Sequence, residues 1–88
     1  MKLKNEFLLS PMGEDAVLVP VGAAAEKFHG IIRLNETAAF IVDCLRTETS
    51  QEQIVDALLA EYEVERSEVK RHVNTVLSQL REIDAIDS

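Results

Sequence analysis

The residue types that usually carry out chemistry are few in this chain and widely separated. Its 88 residues include two histidines, His29 and His72, and one cysteine, Cys44. Zinc sites place such ligands at short spacings, for example C-x-x-C or H-x-x-x-H, and the sequence has neither spacing. A G-x-S-x-G turn for a serine nucleophile is also absent. We therefore predict that the protein is not an enzyme and that it binds no metal and no cofactor.

The single cysteine is interpreted as a structural residue. Cys44 lies beside Ile41, Val42 and Leu45 in a segment with helical periodicity, and free cysteines are commonly buried as small apolar side chains. A lone cysteine cannot form an internal disulfide, which is typical of a reducing compartment. No apolar run approaches the roughly 20 residues of a membrane span, and the apolar segment at residues 7–9 is too short for a signal peptide. These features predict a cytoplasmic protein that does not bind a membrane.

Charge is distributed unevenly along the chain. The net charge is −7, and residues 47–65 contain six acidic residues and no Lys or Arg. Basic residues return in the last helical segment as Arg66, Lys70 and Arg71. Nucleic-acid binding requires a basic surface because the affinity comes largely from neutralised phosphates, so the overall balance opposes it. The basic residues themselves have two interpretations: solvated charge on a helix surface, or a rim that attracts an acidic peptide.

The first third of the chain has the pattern of β-structure. Alternating and β-branched residues predict strands at about residues 3–10, 16–21 and 28–34, with an alanine-rich connector before the third strand. Alternation places Phe28, Gly30, Ile32 and Leu34 on one face of that strand, and His29, Ile31 and Arg33 on the other. Gly30 inside the strand indicates either a bulge or the close approach of another backbone.

Three helices are predicted after the strands, at about residues 35–46, 50–62 and 66–83. Asn35 is a strong N-cap for the first helix, and Ser50 with Gln53 forms a capping box for the second. The last helix carries Val69, Val73, Val76, Leu77, Leu80 and Ile83 on one side. The tail beyond Ile83 is expected to fray. The prediction is one α+β domain over residues 1–88, a three-stranded antiparallel sheet followed by three helices, similar to a winged helix-turn-helix.

The junction at Asn35 leaves almost no loop between the third strand and the first helix, so the strand is fixed relative to that helix. A three-stranded sheet has two edges, and an unprotected edge pairs readily with another chain. The third strand has little protection apart from Arg33. We therefore predict that an incoming peptide can add a strand at this edge. Pairing of the same edge with a second copy, which would give a homodimer, is the alternative.

Several segments of the chain resemble the PqqD family. They are KNEFLL, VLVPVG, FHGIIRLNETAAFIVDCL and IVDALLAEYEVERSEVKRHVNTVLSQL, and together they span about residues 3–83. The most specific part is Leu34-Asn35-Glu36-Thr37, which leads from a strand into a helix. Members of this family are small recognition elements for ribosomally synthesised and modified peptides (RiPPs), with a winged helix-turn-helix-like fold. The resemblance implies a role in the biosynthesis of pyrroloquinoline quinone (PQQ) or of another modified peptide.

The resemblance also implies how such a protein works. It captures the leader segment of a precursor peptide as an added strand beside the last helix. It then presents the precursor to a modifying enzyme, often a radical S-adenosylmethionine (SAM) enzyme. Carried over to this chain, the implied peptide-binding set is Phe28, His29, Gly30, Ile31, Ile32, Arg33, Leu34, Lys70, Arg71, Val73, Asn74, Leu77 and Leu80.

Within this set, the main chain of residues 28–34 pairs with the leader. Side chains at or under the groove come from Ile31, Arg33, Val73, Leu77 and Leu80, and the rim from Lys70, Arg71 and Asn74. The alternative function is a winged-helix transcription regulator whose last helix enters the DNA major groove. We expect a monomer or weak homodimer that binds no nucleic acid.

Overall fold

The computed structural model describes residues 1–87. Its elements in chain order are β1 (Lys2–Leu3), β2 (Phe7–Met12), β3 (Asp15–Pro20), α1 (Ala23–Lys27), β4 (Ile32–Leu34), α2 (Glu36–Cys44), α3 (Gln51–Glu61), α4 (Arg66–Glu82) and β5 (Ile86–Asp87). Strands β2, β3 and β4 form an antiparallel sheet with β3 in the centre. This sheet, followed by helices α2 to α4, confirms the predicted α+β fold with its three-stranded antiparallel sheet.

The core lies between this sheet and the three long helices. Fully buried side chains come from the central strand and from each of these helices: Leu18, Ile41, Leu45, Ile54, Leu58, Val73 and Leu77. Removing one such side chain from water stabilises the fold by about 1.5–3 kcal/mol. Within residues 1–87, no helix combines the length and the hydropathy that a bilayer crossing demands.

Strand β4 is shorter than the sequence predicted. Its pairing with β3 ends at Ile32 opposite Leu18, and continuing the same register would place Gly30 opposite Pro20. Pro20 has no N–H to donate to a ladder, and Gly30 has φ 115°, which takes the chain out of the extended conformation. The prediction of a strand beginning at residue 28 was therefore wrong, and residues 28–31 connect α1 to β4.

The chain termini form a small second sheet that the sequence did not predict. Strand β1 pairs with β5, and Ala85 and Ile86 are buried. The Lys4 N–H donates to the Ala85 carbonyl at 2.9 Å, and Lys4 Nζ donates to Asp84 Oδ1 at 2.7 Å. The predicted fraying of the tail was wrong for residues 84–87, because Ala85 and Ile86 complete the core and β5 pairs with β1. Ser88 lies outside the described residues.

Two predicted helix caps are present and set where the helices begin. Asn35 Oδ1 accepts a hydrogen bond from the Ala38 N–H at 2.9 Å, and Asn35 is the single residue between the end of β4 and the start of α2. Ser50 and Gln53 form the capping box of α3. The Glu65 side chain makes no capping hydrogen bond to α4. Of the two caps, Asn35 has the larger effect on the arrangement of elements, because it joins β4 directly to the helix layer.

Candidate functional site

An open groove runs between β4 and α4. Its first part, which we call the strand hollow, has a volume of about 510 Å³, within the range of ligand pockets. The residues that line it are Phe28, Ile32, Arg33, Leu34, Asn35, Ala38, His72, Thr75, Val76, Gln79, Leu80, Glu82 and Ile83. Ile32 and Ile83 make its walls apolar from opposite sides, while Arg33 and Glu82 add one charge of each sign. The strand hollow is therefore suited to apolar side chains presented by an extended backbone.

The outer edge of β4 is unpaired in the described part of the chain. In antiparallel pairs, the N–H and C=O groups of successive residues point to opposite sides of the strand. The Val21 N–H donates to the Glu6 carbonyl at 2.8 Å, so the odd-numbered residues of β3 face β2 and the even-numbered ones face β4. Leu18 opposite Ile32 is then a hydrogen-bonded pair. The N–H and C=O of Arg33 consequently point outward, to the open edge beside the strand hollow.

The opposite edge of the sheet, on β2, is poorly suited to strand addition. By the same alternation, the outward-facing residues of β2 are Phe7, Leu9 and Pro11. The Phe7 N–H already donates to the Lys4 carbonyl at 3.1 Å, and Pro11 has no N–H. Leu9 is thus the remaining outward donor of β2. Natural sheets protect edges in this way, and the contrast indicates that β4 is the edge left open for a partner.

The structure brings only part of the predicted strand residues to the groove. Phe28, Ile32, Arg33 and Leu34 line the strand hollow. Ile31, which the sequence placed at or under the groove, is 54% exposed and lies outside the hollow. His29 and Gly30 are also exposed and line neither part of the groove. The face that carries Ile32 is therefore the one that meets α4.

The predicted residues of α4 fall on three different faces of the helix. Val73 and Leu77 are fully buried beneath the groove, and Leu80 is buried but reaches the wall of the strand hollow. Lys70 and Asn74 are exposed and do not line the groove, contrary to the predicted rim. At 100° per residue, their positions turn away from the face that contacts β4.

Apart from Leu80, the α4 residues that line the strand hollow are absent from the predicted peptide-binding set. They are His72, Thr75, Val76, Gln79, Glu82 and Ile83. Their spacing of three or four residues follows one helix face, immediately beside the buried stripe of Val73, Leu77 and Leu80. This periodicity is visible in the sequence, but the family resemblance rather than helix position led to the prediction of Lys70 and Asn74.

A second hollow continues the groove beyond the end of β4, and we call it the helix hollow. It has a volume of about 400 Å³ and lies between the start of α2, the end of α3 and the first half of α4. Its lining residues are Thr37, Leu58, Tyr62, Val64, Glu68, Val69, Arg71, His72 and Thr75. Arg71 is the predicted rim residue that the structure does place in the groove.

Tyr62 is held in a fixed orientation at the wall of the helix hollow. Its ring packs edge-on against Phe40 with the centroids 6.1 Å apart, and its hydroxyl donates to Glu36 Oε2 at 3.1 Å. Desolvation of the hydroxyl and its hydrogen bond to Glu36 raise the pKa of Tyr62. The hydroxyl therefore stays protonated and continues to donate.

The nucleophilic and metal-binding side chains do not converge. Burial, together with the charge of Asp43, raises the pKa of the Cys44 thiol, which keeps it in the unreactive protonated form. Among residues 1–87, no three His, Cys, Asp or Glu side chains are placed to hold a metal ion together. The groove is thus the best-formed candidate site among the described residues.

The family model of coenzyme PQQ synthesis protein D (PqqD) matches residues 9–86. The chain belongs to the PqqD family. The match spans the open β4 edge and all of α4, so both sides of the groove lie within the PqqD match. It confirms the family resemblance found in the sequence. No curated protein matches the chain.

Two solved structures are similar to this PqqD-family chain. TbiB1 in complex with the TbiA(β) leader peptide has a TM-score of 0.82 and 24% identity, covering 100% of this chain and 96% of TbiB1. At that identity the similarity shows a shared fold. A lasso peptide synthetase B1 complexed with the leader peptide has a TM-score of 0.72 and 28% identity, covering 92% of this chain and 89% of the synthetase chain. The PqqD-family fold seen here therefore also occurs in two proteins whose structures contain leader peptides.

Proposed function

We propose that this protein is a RiPP recognition element. It binds the leader segment of a precursor peptide by strand addition to β4 and presents the precursor to a modifying enzyme, without catalysing a step itself. The observation that carries the proposal is the open β4 edge beside the strand hollow, in contrast to the protected β2 edge. Membership of the PqqD family and the leader peptides in both similar structures support it.

The geometry of the edge suggests a short backbone register. Arg33 exchanges two hydrogen bonds with one leader residue, and the adjacent leader side chains on the α4 side enter the strand hollow. Gly30, with φ 115°, ends the straight edge on one side, and the Asn35 cap of α2 ends it on the other. With so few backbone bonds, side chains in the groove must supply much of the affinity.

The proposed contact residues combine predicted and newly found positions. They are Phe28, Ile32, Arg33, Leu34, His72, Thr75, Gln79 and Ile83, with Val73, Leu77 and Leu80 supporting them from the core. Ordering a flexible peptide costs about 2–5 kcal/mol. We therefore expect a dissociation constant between about 10 nM and 1 μM, equivalent to about −11 to −8 kcal/mol.

Arg33 allows a test that separates the backbone from the side chain. Arg33→Pro removes the outward N–H but leaves the bonds of Ile32 and Leu34 to β3 in place, and proline is tolerated at a solvent-facing edge. The ligand for this test is the leader peptide of the precursor gene that lies nearest to the gene of this protein. Loss of the hydrogen bond, together with the added bulk of the proline ring, should weaken its binding by about tenfold or more. Fluorescence anisotropy with a labelled leader measures the effect.

The matched control is Arg33→Ala, which keeps the N–H and removes the charge. Its affinity should stay within about threefold of the wild type, because a charge at the rim mainly steers association. If Arg33→Pro is folded and binds the leader as well as Arg33→Ala, strand addition at β4 is wrong.

The finer parts of the function are proposals of the same kind. We propose a radical SAM enzyme as the modifying partner, a product that is PQQ or another modified peptide, a monomer as the working form, and action in the cytoplasm. A short precursor gene and a radical SAM gene beside this gene would support the partner. Co-purification tests the presentation step. We expect the radical SAM enzyme to co-purify with the leader-loaded wild-type protein and to co-purify in a smaller amount with Arg33→Pro.

A further inference from the structure

Helix α2 packs on one face of the three-stranded sheet and leaves the other face to be described. Phe7, Leu18 and Leu34 lie on the packed face and belong to the core, where α2 contacts all three strands. Successive side chains of a strand point to opposite faces, so the remaining strand residues form a second face, which we call the outer face. Its members are Leu8, Ser10, Met12, Asp15, Val17, Val19 and Arg33, together with Ile31, which lies two residues before Arg33 and lines neither hollow.

The outer face is apolar over much of its area, although an antiparallel sheet with one solvated face normally carries polar residues there. Leu8 lies opposite Val19, and Val17 follows in the next row of paired residues. Leu8, Met12 and Ile31 are each more than half exposed. Within residues 1–87, none of these five side chains belongs to the apolar cluster between the sheet and the helices. Exposed apolar residues grouped in this way are typical of an interaction surface.

Strand addition at β4 enlarges the outer face. Residues that pair across two strands share a face, so the leader residue that exchanges hydrogen bonds with Arg33 places its side chain on the outer face. The two neighbours of that leader residue point to the α4 side, where the strand hollow receives them. The loaded protein therefore presents one continuous surface, built from the outer-face residues and from every second side chain of the leader.

The size of the outer face favours a partner that is also held at another point. A stable interface uses about 20–30 residues on each side, and the outer face offers the eight named above. Two copies of this chain joined through it would therefore dissociate readily. A modifying enzyme has a second link, because the precursor whose leader lies on β4 must place its modified segment in the active site of the enzyme. Such a link raises the effective concentration, so a small contact is sufficient.

We propose that the outer face is the docking surface for the modifying enzyme. Arg33 is exposed on the side of the open edge, and Asp15 is exposed at the β2–β3 hairpin. The complementary patch on the enzyme is therefore apolar in its centre, with an acidic group at the end that meets Arg33 and a basic group at the end that meets Asp15. This inference rests on the proposed function, since the enzyme meets a leader that β4 already holds. It assigns leader capture to the edge of the sheet and enzyme docking to its outer face.

Leu8→Lys tests the proposal, because it places a charge on the apolar part of the outer face in β2, two strands away from the open edge. The probe is the modifying enzyme encoded beside this gene, titrated onto the precursor-loaded protein in biolayer interferometry. We expect Leu8→Lys to bind this enzyme about tenfold more weakly, or less, than the wild type. Its affinity for the leader alone, measured by fluorescence anisotropy, should stay within about threefold of the wild type, because the two sites share no residue.

A second variant and a matched control keep the test independent of folding. Met12→Lys changes another half-exposed position of the outer face and should weaken enzyme binding in the same way. Both positions lie outside the core, so the melting temperatures should stay close to that of the wild type. Ala60→Lys adds the same charge at an exposed position of α3 that lines neither hollow, and it should change neither affinity.

The outcomes separate this inference from the proposed function. If both outer-face variants bind the enzyme as the wild type does, or if the precursor-loaded wild type binds no enzyme, the docking surface is overturned and strand addition stays intact. Sedimentation of the protein alone identifies the other occupant. A wild-type dimer that Leu8→Lys dissociates, with enzyme binding unchanged, would assign the outer face to a second copy. If the wild type binds no leader, the proposed function itself fails.

Discussion

Asn35 is the residue on which both the fold and the groove depend. Its side chain caps α2, and it also lines the strand hollow where β4 ends. The hydrogen bond to the Ala38 N–H satisfies a donor that the first turn of a helix cannot satisfy itself. Asn35 is the one residue between β4 and α2, so its side chain sets where the helix begins.

We predict that Asn35→Ala lowers the free energy of unfolding by about 1 kcal/mol, because the cap is lost. Urea denaturation measures the change. Asn35→Asp is the matched control, since aspartate caps equally well and its charge is favourable at a helix N-terminus. Equal loss of stability in both variants would show that the cap is not the cause.

Asp84 should give the fold a pH dependence at acidic pH. The hydrogen bond and charge of Lys4 lower the pKa of the Asp84 carboxyl below its usual value. A carboxyl with a lowered folded pKa stabilises the fold above its unfolded pKa of about 4 and loses this contribution as pH falls through the folded value. The Lys4 ion pair therefore weakens in acid.

Asp84→Asn is expected to reduce the difference in stability between pH 7 and pH 3, measured as urea midpoints. Asparagine tolerates the φ of 58° at this position, so the substitution removes the charge without straining the backbone. If the difference in urea midpoint between pH 7 and pH 3 is the same in Asp84→Asn as in the wild type, this role of Asp84 is contradicted.

At the scale of elements, helices were far easier to predict than strands. Asn35 and Ser50 are caps whose chemistry is local, and both work as the sequence predicted. The length of β4, by contrast, depends on Pro20 lying across the sheet from Gly30, and the register between strands is not a local property. Two-residue strands such as β1 and β5 have no periodicity to detect.

The candidate groove was predicted in outline, and its lining side chains were predicted only in part. The open edge and the groove along α4 follow from the order of the elements and from the family resemblance. Lys70 and Asn74 line neither hollow, because packing of α4 turns His72 and Thr75 toward the groove instead, so their role in peptide binding stays a prediction. The sequence of α4 alone does not indicate which of its exposed residues face β4 across the groove.

The β1–β5 sheet yields a prediction about the tail. Ile86→Ala should lower the free energy of unfolding by about 2–3 kcal/mol, since Ile86 is 3% exposed and its removal leaves a cavity. Ile86→Val, the conservative control, should cost about 0.5–1.5 kcal/mol. A tail that frays, as the sequence suggested, would make both changes nearly neutral in chemical denaturation.

For the whole molecule, charge separates peptide binding from DNA binding. The net charge is −7, and Arg66 at the start of α4 already pairs with Asp56 at 2.7 Å and lies 3.9 Å from Glu52. These carboxylates oppose the approach of a phosphate to Arg66. No structural observation favours the DNA-binding alternative.

We accordingly predict no retention of duplex DNA in a mobility-shift assay at low salt, where non-specific electrostatic binding is strongest. Leader binding by the same preparation is the positive control. A DNA shift that weakens steeply as salt is added would instead support the winged-helix regulator.

The unequal edges of the sheet limit how copies of this chain can associate. Growth of an open fibre requires two complementary surfaces on each molecule, whereas a single self-complementary surface closes after two copies. Because Pro11 and the Phe7–Lys4 hydrogen bond blunt β2, pairing through β4 ends at a symmetric dimer. At high concentration the protein should therefore form dimers and not amyloid-like polymers. Binding of a peptide to β4 should dissociate these dimers.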